Sequence, residues 1–322
     1  MANPATGSAN PSASLPALWG YMVPALDHII RSPTNDLTKA PAIDPAYHMG
    51  VHTAVYNYFT NKSTEAQYNP PPARGDKGKG TSAVSGMDLY HQLDDYFGAT
   101  AREVLLGTPH DDSTLVHYLI PCFNRYSAGA KSINRLLNYV NRHYVKRAVD
   151  EDRGWLRLND VLDAVAKTIT EDDDREQISQ RLKERRTEEL KKYGYKDGGP
   201  AELYSQAEAY AEAASPPDRV VPLLSLAYRR FRIDVIEPLL AIPKVKKKSG
   251  KNKRPPPSNG DKTPGPKGRL ARSVKELLET KGGDEDEKRR LASGLLICLK
   301  TCGIRADHPL RKRLEKFLVA EV

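Results

Sequence analysis

Cysteine is scarce in this chain of 322 residues. Cys122, Cys298 and Cys302 are too few for a disulfide framework. The last two stand four apart on a predicted helix with no second ligand pair nearby, so they read as small core or surface thiols and not as a metal site. No apolar run approaches the roughly 20 residues that cross a bilayer, so no membrane span is expected. Residues 1–14, beginning Met1-Ala2-Asn3-Pro4, lack the basic and apolar segments of a secretory signal and read as a disordered tail. The chain is expected in the cytoplasm and nucleus.

The patterns that carry chemistry are also absent. Gly75-Asp76-Lys77-Gly78-Lys79-Gly80-Thr81 lacks the GxxxxGK[ST] spacing and follows Pro70-Pro71-Pro72 instead of a strand, so it reads as a flexible connector. His48 and His52 have the i, i+4 spacing of zinc-binding helices, yet Met49 occupies the position where hydrolytic chemistry needs Glu. No Ser/His/Asp, paired-carboxylate or Gly-rich arrangement sits in a recognisable context. No catalytic residue, cofactor or metal is therefore expected.

The net charge of +9 is local. Between Lys244 and Arg269 stand ten Lys/Arg against one acid, Asp261, which leaves forty of each sign elsewhere. A nucleic-acid-binding domain spreads its cations over a folded face with interleaved aromatics. This cluster lies among Pro255-Pro256-Pro257, Gly260, Pro264 and Gly265, and reads as a disordered basic insert. Nucleic acid is not the expected partner. The alternative, a nuclear or nucleic-acid-associated helical protein acting through 244–269, stays open, because Lys246-Lys247-Lys248 and Lys251-x-Lys253-Arg254 fit a nuclear-import signal.

What the chain has in quantity is helical periodicity, with no convincing strand pattern. Leu15, Leu18, Trp19, Met22, Leu26 and Ile29 form one stripe over 15–30, with Pro24 inside it. In a second helix Val51, Val55, Tyr58 and Phe59 share a core-facing row, beside a stripe of His48, Met49, His52 and Tyr56. A third helix is predicted over 86–106 and a fourth over 112–126, capped by Asp112 and Ser113. A fifth, over 128–149, places Ile133, Leu137, Val140, Tyr144 and Ala148 in the apolar row. Lys131, Arg135, Asn138 and Arg142 stand in the neighbouring polar row, with Asn134 and Tyr139 on its flanks. A row of Met, His, Tyr and Asn beside a core-facing row has the composition of a partner surface, and equally that of a solvated outer face.

Three blocks carry a family resemblance: Thr53-x-Val55-Tyr56-Asn57-Tyr58, Gly86-Met87-Asp88-Leu89-Tyr90-x-x-Leu93, and Leu136-x-x-Tyr139-Val140-Asn141-Arg142-His143-Tyr144-Val145-Lys146-Arg147. In family order there follow Asp150-Glu151-x-Arg153-Gly154, Leu223-x-Ser225-Leu226-Ala227 with Pro238-Leu239, and Arg289-Arg290-Leu291-x-Ser293-Gly294-Leu295. The chain resembles the amino-terminal repeat region of the cullin family, in particular the cullins of SCF-type ubiquitin ligases, as a truncated or fungal-like member. The resemblance implies an all-α fold: a five-helix cullin-like repeat over 15–155 and a partial second helical repeat, begun at 220–243 and resumed over 270–322. It implies a non-enzymatic scaffold that binds the BTB/POZ-fold adaptor of F-box substrate receptors. Carried over by position, the contact residues are His48, Met49, His52 and Tyr56 on the second helix, with Lys131, Asn134, Arg135, Asn138, Tyr139 and Arg142 on the fifth. The family's RING-binding half is not expected on this fragment, and neither is its RING subunit.

The sequence departs from the family pattern in three places. His48 and His52 stand where members usually carry tyrosines. About sixty residues separate Trp155–Leu158 from Leu223, and over 156–219 they read as a charged helical insertion, exposed from Asp172 to Lys192 with many i, i+4 acid–base pairs. The basic insert over 244–269 is the third.

Overall fold

The computed structural model describes residues 10–68, 86–166, 174–242, 268–280 and 284–320, and leaves the side chains of 62–68 and 163–164 undescribed. Every regular element among the described residues is helical, as expected. Most of the predicted connector, including Gly75–Thr81, and all of the basic insert up to Lys267 lie outside the described residues. So do residues 1–9 of the predicted tail. Residues 10–14 of that tail instead form a turn, in which the Asn10 carboxamide oxygen accepts from the Ser12 N–H and hydroxyl.

Local chemistry sets the ends of the first helices. α1 (Leu15–Arg31) starts where the Ser14 hydroxyl accepts the Ala17 N–H, and it runs through Pro24 without dividing. α2 (Pro45–Tyr68) is launched by Asp44, whose carboxylate accepts the Tyr47 N–H at 3.0 Å, and it extends past Phe59, the last residue of its predicted core-facing row. Gly50 lets α2 approach α1, since a Cβ there would lie 2.3 Å from the Tyr21 Oη. α3 (Met87–Leu106) follows Gly86, held at φ +92° against the Phe59 ring. α4 (Asp112–Leu136) is capped by Asp111, one residue before the predicted pair.

α4 corrects the predicted break near Ser127. It continues for 25 residues, with Tyr126, Ser127, Ala128, Gly129 and Ala130 all buried against neighbouring helices. The interruption falls at Leu137, followed by α5 (Asn138–Val140), a π-helical turn (Asn141–Val145) and α6 (Lys146–Asp150). Overwinding and underwinding offset one another here. Val140 N–H bonds back three residues to Leu137, and Lys146 N–H bonds back five to Asn141. The apolar row therefore stays in register across the break, and Ile133, Leu137, Val140, Tyr144 and Ala148 are all buried.

The second half wraps onto the first. α7 (Leu158–Val165), α8 (Arg175–Lys191) and α9 (Ala201–Ala214) occupy residues 156–219, and α8 is exposed, with Leu190 its one fully covered residue. α10 (Leu223–Phe231) packs on α3, α4 and α9, and continues through a π-helical turn (Arg232–Ile236) into α11 (Glu237–Leu240). α12 (Arg269–Glu279) lies along α4, and α13 (Glu285–Thr301) and α14 (Pro309–Val319) complete the bundle. Arg269, counted in the predicted insert, opens α12 and pairs with Asp112 at 3.1 Å.

One apolar cluster gathers residues from Leu18 to Leu314, so the helices assigned to the two repeats share a core. Each large apolar side chain it covers contributes about 1.5–3 kcal/mol. Buried polar contacts fix the register. The Tyr90 hydroxyl donates to the Val221 carbonyl and accepts the Val221 N–H, both at 3.0 Å. Asp94 accepts a two-pronged hydrogen bond from Arg230. Cys298 and Cys302 are both buried, and burial pushes the Cys298 thiol well up, the state of an inert core thiol.

Candidate partner-binding surface

The inward row of α2 anchors the helix: Val51, Val55, Tyr58 and Phe59 are buried, and the Tyr58 hydroxyl donates to Asp88 at 2.5 Å. That leaves the neighbouring stripe outside. His48 and His52 are exposed, Met49 keeps 61% of its surface in water and Tyr56 46%. Among the described residues Leu106, Val319 and Ile297 are large apolar side chains left comparably open, so exposure alone does not single out this stripe.

The facing elements are the end of α4, α5 and the π-helical turn. Tyr139 on α5 is the junction. Its ring meets Tyr56 edge-on at 5.3 Å, Phe59 at 5.4 Å and His52 at 6.4 Å, while His143 stacks on its face at 3.9 Å. Each such ring pair contributes roughly 0.5–1.5 kcal/mol beyond burial. Desolvation raises the Tyr139 hydroxyl above the ordinary phenol range, and Tyr56 adds to the shift, so the group stays protonated and able to donate.

The structure thus brings His52, Tyr56 and Tyr139 into direct ring contact. Asn134 is half-buried, and its side-chain oxygen accepts from the Asn141 carboxamide at 2.8 Å. Asn138 is half-buried at the start of α5. Lys131, Arg135 and Arg142 are exposed along the same side as Tyr139, with no ion pair to any described residue. His48 and Met49 lie one turn before His52, and their side chains touch none of the other eight through a ring contact or hydrogen bond among the described residues. Lys131, Asn134 and Arg135 belong to α4, not to a separate fifth helix as predicted.

Two members of the surface escaped the sequence reading. His143 stacks on Tyr139 from four residues further along, a spacing visible in the sequence, where His143 stood only within the block Leu136 to Arg147. Asn141 braces the π-helical turn: one end of its carboxamide holds Asn134, and the other accepts the Leu223 N–H at 2.9 Å. No group of three or more metal-ligating side chains occurs among the described residues. No described helix is long and apolar enough to cross a membrane.

Comparison with known proteins gives the chain distant relatives. It is 26% identical over 141 residues to Cell division control protein 53 of Saccharomyces cerevisiae, a stretch that is 42% of this chain and 16% of that protein. It is 26% identical over 145 residues to Cullin-1 of Dictyostelium discoideum, covering 44% of this chain and 18% of that one. The matched stretch is thus under a fifth of either relative's length, and the likeness supports a cullin-like relationship. No family model matches, and no solved structure matches.

Proposed function

We propose that this chain is a non-enzymatic scaffold module of an SCF-type cullin–RING ubiquitin ligase, and that it binds a BTB/POZ-fold adaptor, and through it F-box receptors, with α2 and the α4–α5 edge. The observation that carries this reading is the ring junction at Tyr139. It joins α2 to α5 through Tyr56, while Met49 on the same helix stands 61% in water. A preformed platform with exposed apolar anchors suits a folded protein partner, because little ordering entropy is lost on docking. The distant likeness to a yeast cell-division protein and an amoebal cullin agrees with the blocks in the sequence. The contact set proposed is His48, Met49, His52, Tyr56, Lys131, Asn134, Arg135, Asn138, Tyr139 and Arg142, with His143 added.

The deciding experiment is isothermal titration of the 322-residue chain with purified BTB/POZ-fold adaptor. A one-to-one complex supports the reading. Absence of heat and of co-elution, with the chain fully helical by circular dichroism, rejects it. The proposed location is cytoplasmic and nuclear, and a fluorescent fusion with and without residues 244–267 tests the nuclear part.

A further inference from the structure

The α4–α6 edge has an unusual charge balance. From Lys131 to Val149 the chain carries Lys131, Arg135, Arg142, Lys146 and Arg147 together with His143, and no acid before Asp150, which ends α6. The facing stretch of α2, from Pro45 to Asn61, adds His48 and His52 and again no acid. All eight side chains are exposed. Several cations elsewhere are partnered: Arg31 holds Glu103, Arg230 holds Asp94, Arg269 holds Asp112 and Arg313 holds Glu279. Lys131, Arg135, Arg142 and Lys146 form no ion pair among the described residues. Exposed cations without an ion pair among the described residues occur elsewhere too, at Arg175 and Arg305, but this row runs along the elements that carry Tyr139 and pack on α2, the helix of the exposed Met49 and Tyr56.

We infer that this edge docks a folded protein domain whose contact face presents a cluster of carboxylates around an apolar slot for Met49 and Tyr56. The inference rests on the scaffold reading and specifies the chemistry of its partner. Positive potential beside an apolar anchor steers an acidic face into register, and charges at a rim act on the association rate more than on residence time. The geometry favours protein over nucleic acid. A base needs an open ring face to stack on. One Tyr139 face is occupied by His143, and Tyr56, Phe59 and His52 crowd the same ring at T-shaped angles, so Tyr139 itself offers no open stacking platform. Met49, at 61% exposure, has no role in phosphate binding but fills an apolar slot well.

The test uses the full chain and two probes, the BTB/POZ-fold adaptor and a poly-glutamate peptide. It has two readouts: the association rate across salt, and zero-length carbodiimide cross-links mapped by mass spectrometry. The parent is expected to associate with the adaptor about tenfold or more slowly when salt rises from about 50 to about 500 mM, as the screening length shrinks. The triple variant Arg135→Gln, Arg142→Gln, Lys146→Gln should lose most of that slope at an unchanged dissociation rate. Lys131 and Lys146 should cross-link to adaptor carboxylates. An adaptor that binds with a flat salt profile in parent and variant alike overturns the acidic-face inference and leaves the scaffold reading standing. An adaptor that does not bind, with poly-glutamate still cross-linked at Lys131 and Lys146, removes the adaptor reading and keeps the acidic partner. Duplex DNA that protects both lysines from cross-linking as well as the adaptor does sinks the inference in favour of nucleic acid.

Discussion

The side-chain oxygen of Asn141 accepts the backbone N–H of Leu223 at 2.9 Å, across 82 residues of sequence. Leu223 opens α10, so its N–H is one of the first-turn donors that no helix satisfies internally. The other end of the same carboxamide holds Asn134. A single residue thus satisfies the start of α10, braces the π-helical turn and fixes the α4 edge that carries Lys131 and Arg135. The surface is shaped by the bundle behind it as well as by its own helices.

That dual role separates two substitutions. Asn141→Ala leaves a Leu223 donor and an Asn134 acceptor unmatched and should cost about 1–3 kcal/mol in chemical denaturation. Asn141→Asp keeps an acceptor for Leu223 and sets negative charge at a helix start, so stability should be largely kept while the Asn134 bond is lost. Adaptor affinity should fall for both. If Asp costs as much stability as Ala, the Leu223 contact is not what matters.

Met49→Asp with Tyr56→Ala probes the exposed stripe directly. Met49 stands largely in water, whereas Tyr56→Ala also removes the ring contact with Tyr139, so stability should fall by about 0.5–1.5 kcal/mol with the helical circular dichroism kept. Loss of a central interface anchor typically costs about 2 kcal/mol or more, so adaptor binding should weaken at least about thirtyfold. Unaltered affinity would place the interface elsewhere.

The faces of the helices were legible in the sequence, and some of their ends were not. Val51, Val55, Tyr58, Ile133, Val140 and Tyr144 were expected inside by period alone, and each is buried. The expected break near Ser127 failed because Ser127-Ala128-Gly129-Ala130 resembles a loop by composition. In the fold, small residues let α4 and α1 touch: a Cβ on Gly129 would lie 2.5 Å from Ile30 Cγ1. The true break at Leu137 involves an apolar residue with no breaker signal, and the Asn141 bond to Leu223 that braces the turn beyond it depends on chain 82 residues away. α9 went unread inside the charged insertion, although Ala207 and Ala211 mark its buried side at i, i+4. Of the surface, the two stripes were readable, but the stacking of His143 on Tyr139 needed coordinates.

Gly86 links backbone strain to the surface. At φ +92° an L side chain costs about 1–2 kcal/mol, and a Cβ would sit 2.3 Å from Phe59 Cε1. Phe59 in turn meets Tyr139 at 5.4 Å. Gly86→Ala should lower stability by at least that amount in urea titration and also weaken adaptor binding, although Gly86 is buried and off the surface. A destabilised variant with intact affinity would show that Phe59 does not support Tyr139.

The last prediction concerns pH and a carboxyl in the core. Burial raises Glu212 from 4.5 to about 7, while the Ser225 hydroxyl, donating at 2.6 Å, pulls the other way, Glu208 adds to the rise and Arg186 offsets it. Because the folded value lies above the unfolded one, the folded state keeps a proton that the unfolded chain has already released between those two values. Stability therefore falls as pH rises from 4.5 towards 7; the loss is absent below that range and complete above it. At about 1.4 kcal/mol per unit the loss amounts to about 3 kcal/mol. Glu212→Gln keeps an acceptor for Ser225 and carries no charge to desolvate. Its melting temperature should exceed the parent's at pH 8 and approach it near pH 4.5, so the difference between the two proteins shrinks on acidification. Scanning calorimetry of both chains across that range is the measurement, and a pH-independent difference would mean that Glu212 does not titrate in the folded core.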